Sequence, residues 1–316
     1  MSNASQPQAA PAHTAPILIT GAAGKVGSIG PTVTERLLRD GFRVRAMVRR
    51  EDERADALRT MGAEVVIGDL TNLDDMHRAI EGCRRIYFAM SVAGNYLEAT
   101  TNVAAVARHH GVAAFVNMSQ MTVSQMSLTQ SSPSPQHRQH WLAEQVLDWS
   151  GLPVVNVRAT AFMDVFFHRF AVRGIRQGGE LRLPFGTGKT SPIAAFDVAR
   201  VVAVLMADPA PHIGRVYELT GPTSEDMHGI AAQYARALGR EVRYVDVPRE
   251  PWEADLIANA ASPHLAAHLC AMAELHRQNR YDRLTDDVER LTGAPPMSVE
   301  DFVRRNAHAY APGDPG

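Results

Sequence analysis

The chain has 316 residues, 45% of them hydrophobic, and a formal net charge of -2. This length accommodates one large domain or two moderate ones, and the near-neutral charge gives no electrostatic reason to expect a nucleic acid or an anionic membrane as a partner. No apolar run approaches the roughly 18 residues of a membrane-spanning helix, so we expect no membrane partner.

The first 15 residues are rich in Ser, Gln, Ala and Pro, and the first basic side chain is Lys25. A secretory signal would have a charged start and an apolar core, so this stretch predicts a disordered tail instead. Cys83 and Cys270 are the two cysteines and lie far apart in sequence, which implies no disulfide framework. These features predict a reduced, cytoplasmic protein.

From residue 16 onward, short apolar runs alternate with longer helical patterns. The runs predict strands at residues 17–20, 44–48, 64–67, 85–90, 114–118 and 153–157. The helical patterns cover residues 32–40, 52–61, 72–81, 96–110 and 136–150, and each is followed by glycine, the usual left-handed helix stop. Six strands with five intervening helices predict an α/β class, a Rossmann doubly wound parallel sheet over residues 16–160.

The second half of the chain is less regular. Residues 197–207 and 226–238 have helical patterns, residues 215–220 and 241–247 predict strands, and helical stretches continue to residue 303. We expect residues 161–316 to form a smaller α+β substrate lobe, partly interleaved with the sheet, that closes over the strand ends.

A glycine-rich segment follows the first strand, with Gly21, Gly24 and Gly27 spaced three residues apart. Such glycines permit a tight turn and let backbone N–H groups approach a pyrophosphate at a helix N-terminus. The motif therefore predicts a dinucleotide site that includes Ala23, Lys25 and Val26. Gly30 is expected to lengthen the loop, and Pro31 to be the first helical residue.

Cofactor preference is predicted from the end of the second strand. A site that prefers NAD would place Asp or Glu there, whereas this chain has Arg49 and Arg50. A guanidinium offers forked donors and a permanent charge to a 2′-phosphate, so the pair predicts NADP(H). The alternative is a solvated surface pair.

Other candidate cofactor residues follow the later strands. Asp69 and Leu70 stand where such folds place an acid near adenine, although Asp69 would also suit a helix N-cap, a role that Thr71 or Asn72 could fill. Around the nicotinamide we expect Met90, Ser91, Met118, Thr160 and Phe162. The alternatives are plain strand ends and, for Phe162, the hydrophobic core.

These motifs together carry a family resemblance. The segments are residues 20–27, 68–70, 140–144, 150–153 and 197–199, with Arg158. The chain resembles the NmrA-like, atypical short-chain dehydrogenase/reductase family, and its His140 and Glu144 resemble the branch of quinone oxidoreductases and triphenylmethane-dye reductases. The resemblance implies NADPH, hydride transfer to quinones or dyes, and a cleft between two lobes.

The chain departs from the wider family at the catalytic positions. Ser119 stands at the family's Ser position, but Gln136 and His140 replace the Tyr and Lys that supply a proton during carbonyl reduction. Ketone reduction is therefore not predicted. A conjugated acceptor can take hydride and delocalise the charge, with His140 and Ser119 as the catalytic candidates. The alternative for His140 is packing beside Trp141.

Two functions remain open from the sequence. One is an NADPH-dependent reductase of a small aromatic or conjugated substrate, and the other is a non-catalytic NADP(H) sensor with a regulatory protein partner. A homodimer is left open as well. His264 and His268 share a helix face but lack a third ligand, so no metal site is predicted.

Overall fold

The computed structural model describes residues 15–24, 27, 29–259 and 261–311. The tail predicted at residues 1–15 lies outside this range except for its last residue. Lys25 and Val26, two of the predicted cofactor residues, also lie outside it.

The strands match the sequence prediction closely in the first half of the chain. All six predicted strands are confirmed, although β5 continues two residues further than expected, to Gln120. The strands 215–220 and 241–247 are also present, and a strand that the sequence did not predict begins at Glu180. The strands are β1 (Ile17–Ile19), β2 (Val44–Val48), β3 (Glu64–Ile67), β4 (Arg85–Phe88), β5 (Ala114–Gln120), β6 (Val154–Ala159), β7 (Glu180–Leu183), β8 (Val216–Leu219) and β9 (Arg243–Asp246).

Seven of these strands form one parallel sheet in the order β3-β2-β1-β4-β5-β6-β8. The predicted Rossmann-like α/β fold is confirmed. The strand order reverses between β1 and β4, and ligands of such sheets bind in the crevice at the carboxyl ends of the strands at that point. β7 and β9 form a separate two-stranded parallel sheet.

The helices flank the sheet and build the second half of the chain. They are α1 (Ile29–Arg39), α2 (Glu53–Thr60), α3 (Leu73–Ile80), α4 (Tyr96–His109), α5 (Pro135–Ser150), α6 (Val172–Gly178), α7 (Ala195–Ala207), α8 (Met227–Leu238), α9 (Arg249–Ala258), α10 (Pro263–Arg277), α11 (Asp287–Thr292) and α12 (Val299–Arg305). Among the residues described, no helix has both the length and the apolar character needed to cross a membrane.

The sheet is buried on both faces, as expected of parallel strands with helices on each side. Ile17 and Ile19 belong to the core shared with α1 and α7, whereas Leu18 belongs to the core shared with α3 and α4. A third apolar core, which includes Phe166 and Phe185, lies within residues 161–310. The predicted domain division at residue 160 stays a prediction, and the contacts show that α7 and β8 pack with the N-terminal sheet.

The start of α1 corrects one expectation. The helix begins at Ile29, so Gly30 and Pro31 lie in its first turn, and the predictions that Gly30 lengthens the loop and that Pro31 is the first helical residue are wrong. Proline is tolerated at this place because the N–H groups of the first turn have no acceptor within the helix. Gly30 packs so closely on the preceding turn that an added Cβ would lie 2.4 Å from the carbonyl oxygen of Gly21.

Candidate functional site

The glycine-rich turn lies at the carboxyl end of β1, at the switch point of the sheet. The Gly24 N–H donates to the carbonyl of Gly21 over 2.9 Å, which closes the turn. The Thr20 hydroxyl donates to the carbonyl of Ala89 and accepts from the Ala89 N–H, so it fastens the end of β1 to the end of β4. Gly21 has a φ of 63°, and an added Cβ would lie 2.9 Å from the Ala89 oxygen. This position therefore requires glycine.

Gly27 packs closely against residues of the second half of the chain, Asp164 and Ala195. An added Cβ there would lie 2.0 Å from the Ala195 Cβ and 2.6 Å from Asp164 Oδ1. Asp164 also accepts the Ala195 N–H through Oδ2 over 2.8 Å, and burial raises the pKa of its carboxyl. Sequence reasoning missed Asp164, although one carboxylate within an apolar run is a signal that could have pointed to it.

Three arginines lie around the turn and the end of β2. Arg49 and Arg50 are exposed, and Arg49 Nη2 lies 3.3 Å from Asp69 Oδ2. Arg54, which the sequence analysis did not single out, donates from Nη1 to the carbonyl of Ala23 over 3.1 Å. Asp52 holds Arg54 from the other side. The structure thus brings permanent positive charge to the edge of the glycine turn.

Asp69 lies beside these arginines at the end of β3. Its Oδ1 accepts from the Thr71 N–H over 3.0 Å and from the Thr71 hydroxyl over 2.8 Å. These hydrogen bonds, with a smaller contribution from Arg49, lower the pKa of the Asp69 carboxyl. The N-cap of α3 is Asn72, so the alternative role of Asp69 as a helix cap is wrong.

The remaining predicted cofactor residues divide between the two faces of the sheet. Met118 and Phe162 are partly exposed and pack, with Ala23 and Ala89, on the core shared with α1 and α7. Leu70 and Met90 are partly exposed on the opposite core. Ser91 is exposed and Thr160 is buried, with a hydroxyl that has no partner among the described residues. Cofactor contacts by these residues stay a prediction.

Ser119 is engaged in a buried polar network. Its hydroxyl donates to Glu144 Oε1 over 2.6 Å, and Arg158 donates to the same carboxylate from Nε and Nη2. Ser119 has only 1% of its surface exposed. In this arrangement the hydroxyl is buried and hydrogen-bonded to the Glu144–Arg158 pair, and the catalytic role of Ser119 stays a prediction.

His140 is buried on α5. Its ring lies 4.2 Å, between centroids, from the ring of Tyr96, and Gln136 Nε2 donates to its Nε2 over 3.2 Å. Burial lowers the pKa of His140 to about 3, so the imidazole is neutral near pH 7. The structure therefore does not support His140 as a charged proton donor, and the aromatic ring against which it packs is Tyr96.

His264 and His268, the two histidines of α10 that the sequence analysis considered, contact separate partners. His264 Nε2 lies 2.8 Å from Gln136 Oε1, and His268 Nδ1 lies 2.8 Å from the Ser134 hydroxyl. Gln136, at the position of the wider family's Tyr, thus links His264 to His140 across the contact between α5 and α10.

Comparisons with known proteins agree with this architecture. An NAD(P)H azoreductase of Xenophilus azovorans is 27% identical over 292 residues, which are 91% of this chain and 97% of that protein. The NADPH-dependent quinone oxidoreductase QOR2 of Escherichia coli, solved with NADPH, has a TM-score of 0.80 at 22% identity and covers 92% of this chain and 99% of its own.

A regulatory protein has a similar structure. NmrA, a negative transcriptional regulator solved with NADP, has a TM-score of 0.76 at 19% identity and covers 92% of this chain and 95% of its own. At these identities the two structures show a shared fold. The NmrA-like family matches residues 13–303, and the chain belongs to that family.

Proposed function

We propose that this protein is an NADP(H)-dependent reductase that passes hydride to a quinone-like or otherwise conjugated small molecule. The observation that carries the proposal is the glycine turn at the switch point with arginines along its edge. Backbone N–H groups of the turn and the positive end of α1 suit a pyrophosphate. Arg49 and Arg50 are exposed at the end of β2 and suit a 2′-phosphate, with Asp69 3.3 Å from Arg49 Nη2.

Residues at the carboxyl ends of the other strands suggest how the rest of the cofactor would be held. Met118 and Phe162 offer a partly exposed apolar surface at the ends of β5 and β6, which suits a nicotinamide ring. Leu70 and Asp69 at the end of β3 suit the adenine. The cofactor would supply the hydride, and the protein would orient it and keep water from the reacting face.

Which acceptors the protein could reduce depends on whether a side chain near the nicotinamide can donate a proton. Ser119 is bound to Glu144, and His140 is buried and neutral. A simple ketone needs a proton as the alkoxide forms, and neither residue is placed to give one in this arrangement. Acceptors that spread the added charge over a conjugated system are therefore favoured, and an azo compound, like the substrate class named for the Xenophilus relative, fits this description.

A single assay tests the proposal. Purified protein with NADPH and a panel of quinones, azo dyes and triphenylmethane dyes should give continuous loss of the reduced-nicotinamide absorbance. A panel of simple ketones under the same conditions should give none. Binding of NADPH without turnover of any acceptor would contradict the reductase.

The same observation on Ser119 and His140 favours a second candidate. A protein that binds NADP(H) and turns nothing over needs no proton donor, and it would report the redox state through contacts with a regulatory protein. Such a sensor predicts tight binding of NADP(H) together with a negative acceptor panel, so the assay separates the two functions.

A further inference from the structure

We propose that His77, His109 and His110 form a binding site for one divalent transition-metal ion such as Zn²⁺. His77 lies in α3, His109 is the last residue of α4, and His110 follows it. One ring nitrogen from each lies within 4.8 Å of those of the other two. Imidazole nitrogen is a preferred ligand of Zn²⁺, Cu²⁺ and Ni²⁺.

The geometry is close to that of a tetrahedral site. Nδ1 of His77 and Nε2 of His110 lie 3.2 Å apart. Two nitrogens that each bind one Zn²⁺ at about 2.0–2.1 Å, at the tetrahedral angle, lie about 3.3 Å from each other. The separation of this pair therefore matches one edge of the tetrahedron, and the His109 nitrogen lies within 4.8 Å of both.

The surroundings favour a cation. α3 ends at Ile80 and α4 at His109, so the partly negative carboxyl ends of two helices meet at the cluster. Glu81 is close enough to act on His110 electrostatically, and its negative charge favours a cation at the cluster.

The cluster lies away from the glycine turn. The helices run back from the carboxyl edge of the sheet, so their last residues lie near the starts of β4 and β5, where the Ala113 N–H donates to the carbonyl of Arg84. An ion there would join α3 to α4 and stabilise the fold without contacting the proposed cofactor site. The site would have three protein ligands and a fourth position for water.

Calorimetric titration of chelator-treated protein with ZnCl₂ tests the site. We expect one ion per chain, and His77→Ala and His109→Ala should each weaken binding by at least about tenfold. His308→Ala is the matched control, since this histidine is exposed and lies in the C-terminal segment, and it should bind as the wild type does. Absence of uptake by the wild type, or equal uptake by His109→Ala, would overturn the proposal.

Thermal unfolding supplies a second measurement that does not depend on activity. An ion that binds the native state raises the midpoint of unfolding in proportion to ln(1 + [ion]/Kd). We expect ZnCl₂ to raise the midpoint of the wild type and of His308→Ala equally, and to raise that of His109→Ala clearly less at the same concentration. NADPH affinity should be the same with and without Zn²⁺, so a failure of this site and a failure of the proposed cofactor site give different results.

Discussion

At the scale of single residues, we predict that positive charge at the end of β2 sets a preference for NADPH over NADH. Arg49→Asp removes the guanidinium whose Nη2 lies 3.3 Å from Asp69 Oδ2. It also adds a second carboxylate at this edge of the sheet. Loss of one charge-assisted contact costs about 1.5–3 kcal/mol. Affinity for NADPH should therefore fall roughly 10- to 150-fold and the gap to NADH should narrow, as measured by titration of both cofactors.

The control for this change is Arg39→Asp. Arg39 is an exposed arginine near the end of α1 whose partner is Glu35. Its replacement should leave both cofactor affinities as they are. If the unmodified protein binds NADH and NADPH equally well, the role that we give to Arg49 is wrong.

His140 allows a prediction about the pH dependence of turnover. Because burial lowers its pKa to about 3, it carries no proton to donate as an imidazolium in the neutral range. His140→Ala should lower turnover by no more than about tenfold, through loss of packing against Tyr96, and should leave the shape of the pH profile unchanged. Steady-state rates with a working acceptor, measured across the pH range, check this.

His137→Ala serves as the matched control for that experiment. His137 is buried on the same helix, and its Nδ1 lies 2.8 Å from the Ser132 hydroxyl oxygen. A wild-type rate that falls as pH rises through neutrality, together with loss of that fall in His140→Ala alone, would restore His140 as the proton donor.

The sequence analysis predicted those candidate residues whose positions depend only on neighbouring elements of the chain. Gly21, Gly24 and the arginines after β2 follow from their positions relative to a predicted strand. Arg54 and Asp164 did not, because their contacts are with residues far away in sequence, at Ala23 and Ala195. Ser119 was placed correctly at the end of β5, but its hydrogen bond to Glu144 could not be foreseen from either residue alone.

At the scale of elements, α1 packs closely against the glycine turn. Gly30 is buried, and an added Cβ would lie 2.4 Å from the Gly21 oxygen and 2.7 Å from the Ala22 Cα. Gly30→Ala should displace the start of α1, cost about 1–3 kcal/mol of unfolding free energy and abolish tight NADPH binding. Urea denaturation and cofactor titration measure the two effects.

Gly178→Ala is the control for Gly30→Ala. Gly178 is the last residue of α6, and an added Cβ there would have only ordinary contacts, the nearest at 3.8 Å. We expect the free energy of unfolding of Gly178→Ala to be unchanged or raised by up to about 1 kcal/mol. Normal stability and normal NADPH binding in Gly30→Ala would show that the turn can move out of the way.

Element prediction succeeded where one local pattern determines the structure. β1 to β6 and the helices between them follow from apolar runs and glycine stops. β7 was missed because its polar and apolar residues alternate over only four residues, and its pairing with β9 joins segments more than fifty residues apart. The early start of α1 was missed because proline was assigned to the first helical position only.

At the scale of the whole molecule, the second half of the chain is tied to the sheet by charge as well as by packing. β8 pairs with β6 in the sheet. The Glu218 carboxylate of β8 accepts a hydrogen bond from Arg283, and its Oε1 lies 3.9 Å from Arg158 Nη1. Arg158 in turn holds Glu144 of α5. The sequence indicated a partly interleaved second lobe, but not this connection, because a parallel pairing across sixty residues has no local signal.

Four buried histidines give the whole fold a predictable dependence on pH. His137 and His140 of α5, His268 and His276 of α10 are all at most 5% exposed. Burial lowers the pKa of His140, His268 and His276 to about 3, and lowers that of His137 well below its usual value. In the unfolded chain these groups would titrate near 6.5.

The unfolded state therefore binds more protons between about pH 6.5 and about pH 3, so the free energy of unfolding should fall as pH falls through that window. Each histidine contributes up to about 1.4 kcal/mol per pH unit there. Urea denaturation at a series of pH values measures the slope. His268→Gln, which keeps a polar side chain near Ser134, should reduce the slope, whereas His308→Gln, at an exposed site, should leave it unchanged. A free energy of unfolding that stays constant over the window, or a slope that His268→Gln leaves intact, would show that these histidines become protonated without unfolding the protein.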